Sequence, residues 1–146
     1  MQFSIFTATL VTFIVDMSDG VSVIQGETSL RQSEKENVTF TSTYLEDVNY
    51  LLWCRQHPGR KLEFTVLSYK SSSVESKADF AQKRFSSTVQ QSDKSYRLTM
   101  VEEQLSDTTV YYCAARLYGV GEPLIFGAGT QLTVEPGQKS IVKPKL

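Results

Sequence analysis

Apolar and polar residues alternate along most of residues 21–134, and this period of two limits the possible folds more than any other feature. Clear runs are 38–40, 62–66, 96–100, 110–112 and 132–134. β-branched and aromatic residues fill these runs, and turn-forming residues separate them at intervals of roughly ten residues. No segment of that length has the period of an amphipathic helix. The pattern therefore predicts an all-β antiparallel sandwich or barrel.

Composition excludes several functional classes. The chain has 146 residues and a formal net charge of −1, so it suits one domain and has no field that would attract nucleic acid or an anionic membrane. It contains 1 His and 2 Cys, which is little material for a metal site or a His-based catalytic centre. His57 precedes Pro58 and Gly59, so we expect a turn residue rather than a general base. We predict no enzyme activity, no metal and no cofactor.

The first residues indicate a processing signal. Residues 3–15 are uncharged and mostly apolar, too short to cross a bilayer of about 30 Å but typical of a signal-peptide core. The alternative is a buried strand. Asp16 ends the run, and Ser18 and Gly20 are small residues suited to cleavage. We predict a signal peptide over 1–20, a single domain over 21–135 and a polar, Lys-rich linker over 136–146.

Three motifs within 21–135 resemble those of an immunoglobulin variable domain. They are YLLWCRQHPG at 50–59, QLSDTTVYYCA at 104–114, and FGAGT at 126–130 followed by QLTV. The last is similar to a joining segment, which places a joining-type strand at 125–135. The resemblance implies a two-sheet Greek-key sandwich of about nine strands. Within the family, the stretch QLSD at 104–107 and the ending LTVEP at 132–136 most resemble T-cell receptor alpha or delta chains.

The resemblance also assigns structural roles. Trp53 would fill the core between the sheets together with Cys113, and Tyr111 would be the tyrosine corner. Arg84 and Asp107 stand where the family has a salt bridge closing the lower end of the sandwich. The alternative for that pair is two solvated charges, which would contribute under about 1 kcal/mol.

The chain departs from the family at its disulfide. Ser42 stands where the first cysteine belongs, which leaves Cys113 without its usual partner. Cys54 follows Trp53 directly, so its side chain points to the opposite face of the strand. We therefore predict no disulfide, a buried Cys113 near the Ser42 hydroxyl, and a more accessible Cys54. Loss of such a bond typically costs about 2–5 kcal/mol of a total stability of about 5–15 kcal/mol.

Two further features concern partners and modification. In the family, the sheet that contains the strands of all three motifs packs its outward face against a second variable domain. This implies an interface including Cys54, Gln56, Pro123 and Phe126. Cys54 there is either a thiol for an interchain disulfide or a substitution without a role. Asn37 begins the sequence Asn-Val-Thr, so we predict that it is glycosylated.

Matching positions place three recognition loops at 46–50, around 68–74, and at 114–125. Adaptable glycines and rigid aromatics suit such loops. The alternative for any one aromatic is a solvated turn residue. The predicted antigen-contact residues are Glu46, Asp47, Asn49, Tyr50, Tyr69, Lys70, Arg116, Leu117, Tyr118, Gly119, Val120, Gly121 and Glu122.

The sequence thus predicts an antigen-recognition variable domain of a T-cell receptor alpha or delta chain in adaptive immunity. Its partner would be a beta or gamma chain, and its ligand a peptide, lipid or protein antigen, with or without a presenting molecule. We expect the outer face of the plasma membrane as its location. The alternatives are an innate variable-type receptor or adhesion ectodomain, and an antibody light-chain variable domain.

Overall fold

Short strands account for nearly all regular structure in the described residues. The computed structural model describes residues 23–45, 47–71, 74–118 and 123–137. The predicted signal peptide and residues 138–146 of the predicted linker lie outside these ranges. The elements are β1 (Val23–Gln25), β2 (Ser29–Ser33), β3 (Val38–Tyr44), β4 (Val48–Gln56), β5 (Glu63–Tyr69), β6 (Glu75–Lys77), the 3₁₀ turn η1 (Asp79–Ala81), β7 (Phe85–Gln90), η2 (Gln91–Asp93), β8 (Ser95–Met100), η3 (Leu105–Asp107), β9 (Thr109–Leu117), β10 (Leu124–Phe126) and β11 (Thr130–Glu135).

The strands form two facing sheets. One has four strands in the order β1-β3-β8-β7, and the other has seven, in the order β2-β11-β9-β4-β5-β6 with β10 paired to β9. The pairing of β11 with β2 is parallel, whereas the other pairings are antiparallel. The predicted all-β sandwich is confirmed. Its strand count exceeds nine because the first strand is divided between the sheets and the last is interrupted at 127–129.

Aromatic rings fill the space between the sheets. The Trp53 side chain is 0% exposed, and its ring centroid lies 5.9 Å from Phe40 and 5.8 Å from Tyr96. Phe40 in turn lies 4.9 Å from Tyr111. Trp53 and Tyr111 come from the seven-stranded sheet and the other two rings from the four-stranded sheet. Burial of these large rings is the main favourable contribution to joining the layers.

Asp107 organises the lower end of the sandwich. Its carboxylate accepts hydrogen bonds from Arg84 Nη1 at 2.9 Å and Arg84 Nη2 at 3.0 Å, and from the Gln104 amide at 2.8 Å. Tyr111 Oη donates to the Asp107 carbonyl at 2.9 Å. Asp107 is 1% exposed, so these bonds are shielded from solvent. A fork-shaped guanidinium on a buried carboxylate is a stronger and more directional contact than a surface ion pair.

Gln25 fills the gap where the last strand is interrupted. Its Oε1 accepts hydrogen bonds from the Cys113 amide at 3.1 Å and the Gly129 amide at 2.9 Å, and its Nε2 donates to the Tyr111 carbonyl at 3.0 Å. Gly129 has φ of 99°, a value that favours glycine. A Cβ on Gly127 would lie 2.5 Å from Gln25 Oε1, so the glutamine occupies space that a side chain there would need.

A bulge in β5 changes which residues face the core. Trp53 pairs with Val66 and Cys54 with Phe64, so Thr65 is an extra residue opposite β4. Val66 is 0% exposed in the core, whereas Phe64 is 39% exposed on the outer face. The uninterrupted alternation that the sequence indicates over 62–66 is therefore wrong.

Within the described ranges, no helix is both long enough and apolar enough to cross a membrane.

We predict that Tyr111→Phe lowers the free energy of unfolding by about 1–3 kcal/mol, because the buried Asp107 carbonyl loses its donor. Urea denaturation followed by Trp53 fluorescence measures the change. Tyr112→Phe is the matched control, since Tyr112 lies next in β9 and is only half-buried. Equal stability of the two variants would show that the Tyr111 hydroxyl contributes nothing.

Candidate functional site

Lys70 joins three loops at one end of the sandwich. Its ammonium forms an ion pair with Asp47, which lies between β3 and β4. The same ammonium lies 5.4 Å from the ring centroid of Tyr118, which directly follows β9. Lys70 itself follows β5. The ion pair with Asp47 raises the pKa of Lys70 and keeps it charged. The described parts of all three predicted loops are thus in contact.

Several predicted loop residues lie in strands instead. Asn49 and Tyr50 belong to β4, Tyr69 is the last residue of β5, and Arg116 and Leu117 belong to β9. Strand pairing extends to these positions because Tyr50 pairs with both Tyr69 and Arg116. The loops are therefore shorter than predicted. Glu46, Gly119, Val120, Gly121 and Glu122 lie outside the described residues.

Two exposed tyrosines stand beside these loops. Tyr69 is 42% exposed and packs edge-on against Tyr50, with ring centroids 5.7 Å apart. Tyr118 is 49% exposed. Such side chains give rigid, amphipathic contact surface at low entropic cost.

A fourth segment, which the sequence did not indicate, lies at the same end. Gln91 of η2 donates from Nε2 to the Lys70 carbonyl at 2.9 Å. Gln91 and Lys94 line a pocket of about 220 Å³ together with Tyr44, Asp47 and Lys70. No local sequence motif predicts that η2 lies near Lys70, because its position depends on how β7 and β8 pair with β3 in the four-stranded sheet.

The outer face of the seven-stranded sheet carries a second, mostly apolar surface. Cys54 and Gln56 lie on β4 and Phe126 on β10, and Pro123 directly precedes β10. Gln56 and Phe126 share a pocket of about 200 Å³ with two residues that the sequence analysis missed, Leu62 and Tyr112. The exposed apolar side chains on and beside this pocket are Leu62 at 42%, Phe64 at 39% and Phe126 at 40%. We call Gln56, Leu62, Phe64, Tyr112 and Phe126 the outer patch.

Cys54 is only slightly more accessible than Cys113. Its side chain points away from the inter-sheet core, as strand alternation requires, but it is only 5% exposed. It packs with Leu52 and Ala114 under partly buried neighbours that include Leu67 and Leu124. Burial raises the pKa of the thiol to about 11, which disfavours the reactive thiolate. As predicted, Cys54 is more accessible than Cys113, which is 0% exposed, but the difference is small.

A hydrogen bond stands where the family has its disulfide. Ser42 Oγ lies 2.9 Å from Cys113 Sγ, and both residues are buried. Ser42 Oγ also donates to the Tyr96 carbonyl at 3.4 Å. Both cysteines of the chain are free, and burial raises the pKa of Cys113 to about 12. The contact joins β3 of one sheet to β9 of the other without a covalent bond.

Nothing in the described ranges suggests a metal centre, since no three His, Cys, Asp or Glu side chains there are grouped closely enough to hold an ion.

Comparison with known proteins agrees with this geometry. A family model of the immunoglobulin V-set domain matches residues 25–135. The chain is 32% identical over 133 residues to human T cell receptor alpha chain MC.7.G5, which covers 88% of this chain but only 46% of that protein. It is 30% identical to human T cell receptor alpha variable 38-1, covering 76% of this chain and 94% of the relative. It is 37% identical to the mouse T-cell receptor alpha chain V region CTL-F3, covering 68% of each.

We predict that Ser42→Cys forms a disulfide with Cys113 and raises the free energy of unfolding by about 2–4 kcal/mol. The bond would close a loop between residues 71 positions apart, for which chain entropy allows about 4 kcal/mol. Thiol alkylation before reduction, followed by mass spectrometry, should label two cysteines in the unfolded native-sequence chain and only Cys54 in the variant.

Ser42→Ala is the control, because it removes the hydroxyl without offering a thiol. It should lower stability by about 1 kcal/mol. If Ser42→Cys kept both thiols free under oxidising conditions, the positioning of residue 42 opposite Cys113 would be wrong.

Proposed function

The chain belongs to the immunoglobulin V-set family as a T-cell-receptor-type variable domain, and we propose that it recognises antigen as part of an alpha- or delta-type chain. Its partner would be the variable domain of a beta- or gamma-type chain. V-set domains of this type are non-enzymatic, so recognition is by binding alone. The relatives named above include alpha variable regions, and another is human T cell receptor alpha variable 38-2/delta variable 8.

The outer patch is the observation that carries the proposed pairing. Leu62, Phe64 and Phe126 expose apolar surface on one face, next to the amide of Gln56. Exposed apolar groups clustered on one face are unfavourable in water and are typical of surfaces that another protein covers. Gln56 Nε2 donates to the Arg60 carbonyl at 3.0 Å, which leaves its carbonyl oxygen available to a partner.

The loop end supports recognition of a polar or mixed antigen surface. Tyr69 and Tyr118 offer exposed rings, and Lys70 and Asp47 offer opposite charges beside them. This combination of aromatic anchors and adaptable polar groups is typical of variable-domain binding surfaces. We propose that residues 119–122, together with Arg116 and Leu117 at their base, complete this surface.

The chain spans less than half of the first relative named above, which supports a longer receptor. We propose that residues 1–20 direct secretion, that 136–146 lead into a constant region, and that the receptor stands on the outer face of the plasma membrane.

Asn37 is favourably placed for glycosylation. It is exposed, and its Oδ1 accepts a hydrogen bond from the Glu102 amide at 3.0 Å. The glycan would be attached to the other atom, Nδ2, so modification need not break this bond. We propose that Asn37 carries an N-linked glycan in secreted protein.

Expression in a secretory cell line tests this modification. Wild-type protein should lose the mass of one glycan after treatment with an endoglycosidase, and Thr39→Ser should behave likewise because it keeps the acceptor sequence. Thr39→Ala should show no shift, and it leaves the Asn37–Glu102 hydrogen bond in place. An unshifted wild-type protein would exclude Asn37 as an acceptor.

The pairing is tested by co-expression with beta- and gamma-type chains, with native mass spectrometry of the secreted product. Wild-type chain should form a one-to-one heterodimer with one of these types. Phe126→Asp and Phe64→Asp should weaken it at least about tenfold, because each buries an unpaired charge at the contact.

Leu105→Asp is the matched control, since Leu105 is 49% exposed on η3 and lies outside the outer patch. It should leave pairing unchanged. If all three variants paired as well as wild type, the interface would lie elsewhere. If wild type paired with neither chain type, the proposed receptor assignment would fail.

A further inference from the structure

Glu103 is a buried carboxylic acid for which the proposed recognition function has no use. It follows β8 and precedes η3, close to the Arg84–Asp107 pair. Glu103 is 0% exposed, and within the described part of the chain neither carboxylate oxygen has a hydrogen-bond partner. An ionised carboxylate in such a position loses its hydration without compensation.

The backbone around Glu103 holds it in place. The Glu103 amide donates to the Glu36 carbonyl at 2.9 Å, and the Lys35 amide donates to the Glu103 carbonyl at 2.7 Å. The Glu102 amide donates to Asn37 Oδ1 at 3.0 Å. We call residues 35–37 and 102–103 the base clasp. Lys35 and Glu102 have φ of 75° and 51°, so the clasp keeps two non-glycine residues in a costly conformation.

The surrounding charges do not compensate Glu103. The nearby carboxylates of Glu36 and Asp107 oppose its ionisation. Two arginines reach this end of the sandwich, but their ion pairs are with other carboxylates. Arg84 binds Asp107 at 2.9 Å, and Arg55 binds Glu63 through Nε at 2.9 Å while its Nη1 lies 3.9 Å from Asp107. Lys35 contributes its backbone amide to the clasp. Burial first, and these two carboxylates second, raise the pKa of Glu103 to about 7.

We propose that the base clasp is a proton-sensitive latch, closed when Glu103 is neutral and destabilised when Glu103 gives up its proton. The carboxyl is an ordinary acid in the unfolded chain, where it ionises near pH 4.5. Its contribution to stability is therefore complete below that pH and is lost as the pH rises towards 7. This inference is independent of the antigen and partner that the domain takes.

Urea unfolding of the full chain at pH 5 and pH 8 tests the latch. The folding equilibrium constant of wild type should fall between pH 5 and pH 8 by a factor about 100 times larger than that of Glu103→Gln, in which the side chain cannot ionise. Glu102→Gln is the matched control, because it removes the exposed neighbouring carboxylate and should keep the wild-type pH dependence. Glu36→Gln should raise the free energy of unfolding at neutral pH, since it removes a negative charge that opposes the ionisation of Glu103.

Two measurements locate the effect and do not depend on Glu103→Gln folding. Carboxyl NMR of wild-type protein should show Glu103 titrating near pH 7. Hydrogen exchange, corrected for intrinsic rates, should show the Lys35 and Glu103 amides losing protection between pH 5 and pH 8. Titration of Glu103 below pH 5, or equal pH dependence in wild type and Glu103→Gln, would overturn the proposal.

Discussion

Packing around Trp53 joins the two sheets, and the rest of the domain depends on it. The indole lies between Phe40 and Tyr96 of the opposite sheet, and Ser42 and Cys113 make only a hydrogen bond across the same space. Without a covalent bond the unfolded chain is less restricted, so non-covalent contacts must supply the whole margin of stability. The partly buried Arg84–Asp107 pair and the Tyr111 hydroxyl add directional contacts at the lower end.

This arrangement separates the proposed recognition and pairing surfaces from the stabilising core. The loop end depends on contacts among Lys70, Asp47 and Tyr118, whereas the outer patch lies on β4, β5, β9 and β10 and on Leu62, which directly precedes β5. Cys54 is buried next to the outer patch, in a small cluster separate from the main core. A substitution in the outer patch can therefore change association without removing a core ring.

Much of the fold could be predicted from the sequence because its signals are local. Alternation in 38–40 and 96–100 reflects strands that pair with each other through Phe40 and Leu98. The position of Ser42 opposite Cys113 follows from the family resemblance, which places Ser42 where the first cysteine of the disulfide belongs. These features need only a period of two and a known order of strands.

Features that depend on a single inserted residue or on distant segments could not be predicted in this way. The extra Thr65 in β5 turns Phe64 outwards, and no residue type marks that bulge. Gln25 serves the interrupted last strand from a position 104 residues before Gly129. Glutamate is a residue type usually found on the surface, and the burial of Glu103 depends on a segment distant in sequence, 35–37, that hydrogen-bonds to its backbone.

The position of Lys70 has a consequence for how the loops evolve. One ammonium contacts a carboxylate from the first loop and a ring from the third. Replacing Asp47 changes how strongly the Lys70 ammonium interacts with Tyr118, and replacing Tyr118 changes its interaction with Asp47. The effects of substitutions in different loops are therefore coupled rather than additive. The three loops thus respond to sequence change as one unit, and a loop transferred alone to another framework would lose the contacts that the other two provide.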